Sequence, residues 1–182
     1  MPQQPGNISE AFYHEVDAVR SELAAQTDRG AAIVGAALMD EKLRQVLTAC
    51  FVSGLSARDL AEMFDGPSAP LGTYGAKCRL GRAIGLYGAE LERELRIIGR
   101  IRNRFAHDLQ ISEFSDPQIA PLCADLRGYR AVRIERDGTR TPLAEYRGPG
   151  DARRVFLASI DMDLHTLLIA YDMRAEGKGP IG

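Results

Sequence analysis

Apolar residues recur every three or four positions along most of this chain, a spacing that places them on one side of an α-helix. Ser9 is placed to cap a first helix that runs to about Gln26, and Asp28 to cap a second that runs to about Phe51. Further helices are expected over residues 56–64, 73–87, 90–107, 115–126 and 151–173. The pattern therefore predicts a mainly all-α protein, folded as a helical bundle.

The segment 90–107 divides most clearly into two faces. Residues three, four or seven positions apart share one side of a helix, so its apolar positions form a stripe that is expected to be buried: Leu91, Leu95, Ile98, Ile101 and Phe105. The opposite side, which we call the polar row, consists of Arg96, Arg100, Asn103 and His107. Guanidinium, amide and imidazole groups on one face can bind a ligand or take part in catalysis, which makes the polar row the candidate site.

One acid interrupts the apolar stripe of the second helix. Asp40 lies seven residues from both Ile33 and Leu47, on the side expected to be buried with Ala36, Ala37, Leu43 and Phe51. A buried carboxylate requires a cationic partner. Arg102 lies four residues after Ile98, at the flank of the other buried stripe. We therefore predict an Asp40–Arg102 ion pair that holds the guanidinium in one orientation.

The pattern changes over residues 128–150. Val132 and Ile134 alternate with Arg133 and Glu135, and Asp137-Gly138 is a dipeptide that favours a two-residue hairpin turn. These features predict a small β-hairpin near residues 130–146, inserted into the helical protein. We expect residues 1–182 to form a single domain with this insertion at about 128–150.

Composition narrows the classes of protein that fit. The chain has 182 residues, 45% of them apolar, and a formal net charge of −2, which argues against wrapping nucleic acid by bulk electrostatics. Its three cysteines are far apart and surrounded by apolar residues, which favours reduced thiols over disulfides or a zinc site. Because residues 1–6 do not begin a basic region followed by an apolar run, and no run of about 18 apolar residues occurs, we expect neither a leader nor a membrane span. We expect a cytoplasmic protein with no membrane association, cofactor or metal.

Two weaker patterns leave alternatives open. Arg133 and Arg136, with neighbouring tyrosines, could bind phosphates and stack on bases, although an exposed hairpin protected by its charges is the favoured interpretation. Asp161 and His165 have a spacing that metal ligands sometimes show, but no third ligand is evident, and ion pairing or a solvated face explains them better. Because no helix-turn-helix with a basic recognition helix is present, duplex DNA is a less expected partner than RNA or a protein.

A resemblance adds to this interpretation. The run Ile101-Arg-Asn-Arg-Phe-Ala-His-Asp108 resembles the Arg-Asn-x-Phe-Ala-His signature of HEPN-type helical domains. Together with the segments 70–87 and 111–119, it resembles the mannitol operon repressor (MltR-like) family. The region around 128–150 departs from that pattern. The resemblance implies a HEPN-like helical bundle, often a homodimer, with a regulatory function such as transcriptional regulation through binding of protein or nucleic acid.

The same resemblance implies an alternative function. In nuclease members of the HEPN group, an Arg and a His four to six residues apart cleave RNA without a metal, at a cleft between protomers. Arg102 with His107, or Arg100 with His107, would be that pair, with the histidine as general acid or base and Asn103 orienting the phosphate. A purely structural role, in which these side chains cap carbonyls at the end of a helix, competes with both functions. We favour regulatory binding and assign a set of binding residues: Arg96, Arg104, Asp40, Arg133 and Arg136.

Overall fold

The computed structural model describes residues 21–127, 132–134, 140–142 and 147–175, the short strands by their backbone alone. The described chain is mostly helical, so the prediction of a mainly α-helical fold is confirmed. Residues 21–25 are helical, and a 3-10 turn, Pro149–Asp151, precedes the last helix. The helices are Asp28–Ala49 (α1), Ala57–Phe64 (α2), Tyr74–Ala83 (α3), Ala89–His107 (α4), Ala120–Ala124 (α5) and Ala152–Ala175 (α6).

The start of α1 differs from the prediction by one residue. Thr27 is the N-cap, because its side-chain oxygen accepts from the N–H of Gly30 at 3.1 Å. Asp28 is the first residue of the helix, so the predicted Asp28 cap is wrong. Its carboxylate instead accepts from the backbone N–H of Phe114 at 2.8 Å and pairs with Arg153 at 2.5 Å. Asp28 therefore joins three distant segments of the chain.

The helix predicted to begin at Ser115 is also wrong in its boundaries. The Ser115 hydroxyl donates to the carboxylate of Glu113 at 3.0 Å and does not cap a helix. Turns occupy the following residues, where Asp116 accepts from the N–H of Gln118 at 2.8 Å. Pro117 has no N–H to donate, and α5 begins only at Ala120, with Pro121 in its first turn.

α1 lies at the centre of the packing and contacts α3, α4 and α6. Because it has neighbours on several sides, its buried arc is wide and includes Met39 and Val46. The predicted stripe of α1 is only partly right, since Ile33 and Ala37 are exposed. The predicted stripe of α4 is confirmed, because all five of its apolar residues are buried.

Three phenylalanines connect the elements around α4. The ring centroids of Phe105 and Phe114 are 5.0 Å apart in an edge-to-face arrangement, and those of Phe114 and Phe156 are 4.9 Å apart. Elsewhere in the core, burial raises the pKa of the Cys78 and Cys123 thiols to about 12, so both are protonated at neutral pH. These thiols pack as small apolar groups.

Two short strands lie where the sequence predicts a hairpin. Val132–Ile134 (β1) pairs antiparallel with Arg140–Pro142 (β2), and Arg133 is opposite Thr141. The residues between the strands, including Asp137-Gly138 and the binding candidate Arg136, lie outside the described residues. The inserted hairpin therefore stays a prediction. Of the helices in the described ranges, none combines the length and apolar character needed to cross a bilayer.

Candidate functional site

The polar row is a continuous exposed face of α4. Arg96, Arg100, Asn103 and His107 are all exposed, whereas the apolar stripe on the other side is buried. The row spans twelve residues, from Arg96 to His107, or about 16 Å along the helix axis. The amphipathic pattern of α4 thus places its apolar side in the core and presents four polar side chains together.

The C-terminal end of α4, where the polar row finishes, is held by a side chain from α1. The Arg29 guanidinium donates to four backbone carbonyls in or just after the last turn of α4: those of Phe105, Asp108 at 3.1 Å, Leu109 at 3.3 Å and Ile111 at 2.5 Å. The last carbonyls of a helix have no partner within the helix, and a cation is favoured at that end of its dipole. Arg29 therefore fixes the turn that follows His107. Nothing in the sequence around His107 predicts this role of Arg29.

A groove of about 1070 Å³ runs along α4 between α1 and the start of α3. α1 contributes Ala36, Ala37, Asp40 and Glu41, and the segment 72–75 contributes the start of α3. Several of the lining residues are alanine or glycine, which leaves space between the helices. The basic and amide side chains of α4 that line it are Arg93, Arg96, Arg100, Arg102 and Asn103.

The start of α3 packs directly on the middle of α4. A Cβ placed on Gly99 would lie 3.0 Å from two ring carbons of Tyr74, so glycine is what lets the ring rest on the α4 backbone. Gly75 is the next residue of α3, and a Cβ placed there would meet no atom within 4 Å. This wall of the groove is therefore open beside Arg100.

Acidic and basic side chains are unevenly distributed along the groove. Arg96 pairs with Glu92 at 2.9 Å, and Arg93 approaches Asp125 at 3.6 Å. Arg100 has neither an ion pair nor a hydrogen bond to any residue that the structure describes. The end of the groove nearest Arg100 therefore carries uncompensated positive charge.

The predicted Asp40–Arg102 ion pair is wrong. Asp40 pairs with Lys77 of α3, whose Nζ lies 2.9 Å from Oδ1 of the carboxylate, without the angles of a hydrogen bond. The same ammonium donates to the carbonyl of Leu71 at 3.3 Å. Arg102 is exposed, and its guanidinium donates to Oδ1 of Asn103 at 2.9 Å. α3 also packs against α1, and it brings Lys77 to the acid in place of Arg102.

His107 is exposed one turn beyond the groove. It follows Asn103 by a rise of about 6 Å, and it does not line the cavity. Around the helix axis His107 lies about 20° from Arg100 but about 140° from Arg102. Of the two predicted Arg/His pairs, only Arg100 and His107 therefore share a face. Arg104 points elsewhere and donates to the side chain of Gln118 at 2.8 Å.

A cluster of buried ionisable groups lies behind α4 and was missed by the sequence interpretation. Glu94 and Asp163 are fully buried, and both carboxylate oxygens of Asp163 lack a hydrogen-bond partner in the described chain. Burial raises the pKa of Asp163 well above its ordinary value, and the nearby Glu94 carboxylate raises it further. Glu94 accepts from the backbone N–H of Arg127 at 2.9 Å, and burial raises its pKa too. Glu94 directly precedes Leu95, and Asp163 directly precedes Leu164. An acid next to an apolar position of a helix was the sequence signal that could have indicated these buried groups.

The remaining sequence candidates lie apart from the groove. The ring of His165 contacts the backbone carbonyl of Asp161 at 2.8 Å and its carboxylate at 3.8 Å. In the part of the chain that the structure describes, no three His, Cys, Asp or Glu side chains are grouped so that they could hold a metal ion. Arg133 lies in β1, where only the backbone is described.

Replacing Arg29 by methionine is expected to destabilise the fold by about 2–3 kcal/mol, because carbonyls at the end of α4 lose a charged donor while the aliphatic bulk is kept. Urea unfolding followed by circular dichroism measures the change. Arg58→Met is the matched control, since its guanidinium lies in a solvent-exposed pair with Glu62 and its loss should cost no more than about 0.5 kcal/mol. Equal effects of the two substitutions would contradict the role given to Arg29.

Comparisons with known proteins identify no family for this chain. The resemblance to the mannitol operon repressor family and to HEPN domains stays a prediction from the motif in α4. No protein-family model, curated protein or solved structure matches the chain.

Proposed function

We propose that the chain is a regulatory binding protein of the MltR-like kind, and that the polar row binds single-stranded RNA. The observation that supports this is the exposed row itself, three of whose residues line a groove where Arg100 has no acidic partner in the described residues. We propose a HEPN-like bundle with the inserted hairpin as the scaffold. The homodimer implied by the resemblance would bring two polar rows into one surface.

The spacing of the polar row favours a linear polyanion. Successive members are three or four residues apart, so neighbouring donors lie about 4.5 to 6 Å apart along the helix axis. A guanidinium can contact a phosphate with two N–H groups, and such contacts position a strand without reading its sequence. Since the net charge of the whole chain is −2, the interaction must be local and should weaken steeply with salt.

The geometry of α4 supports binding more than catalysis. An Arg/His pair that acts on one phosphate must reach it from the same side, but Arg102 and His107 lie about 140° apart around the helix. His107 also lies outside the groove. An orienting partner for a catalytic imidazole, which would fix its tautomer, is missing from the described residues around His107.

One observation favours the second candidate function, a metal-independent endoribonuclease. Arg100 and His107 share one face of α4, and both side chains are exposed. His107 could take the proton from a ribose 2′-hydroxyl while Arg100 stabilises charge on the phosphate oxygens, with Asn103 orienting the phosphate. This chemistry requires RNA, because DNA lacks the attacking hydroxyl.

Fluorescence anisotropy with a short labelled single-stranded RNA, in the presence of chelator, tests both functions. We expect salt-dependent binding by the full chain, and Arg100→Ala should reduce the slope of log affinity against log salt by about 0.7. Arg82→Ala is the matched control, since Arg82 is exposed on α3 away from the groove. His107→Ala should change affinity by about twofold or less, because His107 lies outside the groove and its ring offers fewer donors to a phosphate than a guanidinium does.

The outcomes of this assay separate the two functions. Cleavage that is lost in His107→Ala, with binding retained, would establish the nuclease in place of the regulator. Equal affinity for RNA of the Arg100 and Arg82 variants would contradict the role of the polar row. If no RNA binds at low salt, the RNA proposal fails, and a partner protein with an acidic surface becomes the ligand to test.

A further inference from the structure

The groove beside the polar row has the size of a small-molecule site. Its volume of about 1070 Å³ is at the upper end of the range of roughly 300–1,000 Å³ that ligand pockets occupy. Arg96, Arg100 and Asn103 of the row line the α4 wall of this groove, so an RNA strand on the row would follow one wall and would not fill the space up to α1. The cavity therefore requires an explanation of its own.

The charges inside the groove restrict the kind of ligand that fits. Four acids line it, Asp40, Glu41, Glu92 and Asp125, so the interior of the groove, away from the exposed row, does not favour several negative groups. At one end Arg100 is without an acidic partner among the described residues, and the start of α3 packs there on Gly99. Only that end favours a negative group, so the groove suits a ligand with one anionic group and an uncharged body.

Hydrogen-bond donors line two walls of the groove, one on α4 and one at the start of α3. Arg102 donates to Oδ1 of Asn103, which leaves the Asn103 amide group as a free donor on the groove wall. The first turn of α3 presents N–H groups that have no carbonyl partner within the helix, next to the open space at Gly75. Guanidinium, amide and backbone N–H groups therefore all line the groove, and each can donate to the oxygens of a phosphate group.

We propose that this end of the groove is a binding site for a small molecule carrying a phosphate monoester, held by Arg100 with Asn103, which lie about 60° apart on one side of α4. The body of the ligand lies between α1 and α4, over Ala36, Ala37 and Gly75. This site does not depend on the RNA proposal, because a strand lying on the exposed row does not need the cavity. The two ligands share Arg100, so they compete.

Gly75 allows a test that leaves every charged group in place. A Cβ at this position meets no atom within 4 Å, and the backbone there has no positive φ, so leucine can be introduced without a clash and its side chain enters the groove. Gly150→Leu is the matched control, because Gly150 also has open space around it but does not line the groove. Unfolding midpoints of both variants verify that they fold.

Isothermal titration of the full chain with adenosine 5′-monophosphate, adenosine and inorganic phosphate measures the site. We expect the monophosphate to bind and adenosine to bind at least about tenfold more weakly. Arg100→Ala should weaken the monophosphate by about tenfold or more, whereas Arg82→Ala should leave it unchanged. Gly75→Leu should weaken it by a similar factor, and Gly150→Leu should have no effect.

The phosphate arm identifies the source of the anion. If inorganic phosphate binds as tightly as adenosine 5′-monophosphate, the site binds phosphate but its ligand is the free ion. If inorganic phosphate binds more weakly, the rest of the molecule also contributes to binding, which supports a phosphate monoester as the ligand. The proposal is overturned if neither phosphate probe binds, if adenosine binds as well as the monophosphate, or if Gly75→Leu binds normally. Loss of RNA binding alone leaves these results unaffected, because the Gly75 variants retain the whole polar row.

Discussion

Replacing Gly81 by alanine is expected to destabilise the protein by about 3 kcal/mol. A Cβ on Gly81 would lie 2.4 Å from the Tyr87 hydroxyl oxygen and 2.6 and 2.7 Å from two of its ring carbons. The ring cannot move aside freely, because Tyr87 is buried and its hydroxyl donates to the carbonyl of Cys78 at 3.0 Å. The substitution must therefore break that hydrogen bond or push α3 away from the turn that follows it.

Gly75→Ala is the matched control, with the same substitution in the same helix. Gly75 has open space around it, so alanine adds only its higher helix propensity and should stabilise the protein by about 0.5–1 kcal/mol. Urea unfolding of both variants, with equal slopes, gives the two free energies of unfolding. If both substitutions stabilise the protein, the ring of Tyr87 is not packed against Gly81 as closely as the structure shows.

The second large effect is expected from Asp163→Asn, which should stabilise the protein at neutral pH. Burial and the neighbouring Glu94 raise the pKa of Asp163, so the native state holds its proton more tightly than the unfolded state does. Stability is then highest below the unfolded pKa and falls as pH rises, by about 1.4 kcal/mol per pH unit, until the native pKa is reached. Asparagine keeps the shape of the protonated acid and removes this loss.

Unfolding free energies measured from about pH 4 to neutral pH test this expectation. The variant and the unsubstituted protein should be nearly equal at the acidic end and should separate as the pH rises, with the variant more stable. Glu62→Gln is the control, because Glu62 is an exposed acid in a surface pair and should show almost no pH-dependent difference. A destabilised Asp163→Asn variant at neutral pH would mean that the buried carboxylate has a cationic partner.

The helical pattern predicted α4 well and α1 poorly, for a physical reason. α4 has one buried side, so its five apolar stripe residues, from Leu91 to Phe105, mark that side directly. α1 packs against three helices, so its buried arc is too wide to be defined by a single stripe. Alanine is common on α1 and is compatible with either side, which is why Ala37 was placed on the buried side although it is exposed.

The candidate site, too, could be predicted from the sequence only in part. The polar row could be predicted, because residues of one helix have a fixed relation to each other. The groove, the Lys77–Asp40 pair and the Arg29 contacts each join residues that are distant in sequence. Arg29 and Phe105 are 76 positions apart, and no local periodicity reports such a contact. The sequence therefore predicts the candidate helix and its exposed polar face but not the elements that surround them.

Two adjacent residues, Asp28 and Arg29, connect the beginning of α1 to the segment between α4 and α5. Arg29 donates to carbonyls that follow His107, and Asp28 accepts from the N–H of Phe114 and from the guanidinium of Arg153 of α6. Local opening at the beginning of α1 would release this segment and the start of α6 in one step. Amide hydrogens there should consequently exchange with solvent as one cooperative unit, and protease access to residues 108–113 would depend on the fraying of a helix that is remote along the chain.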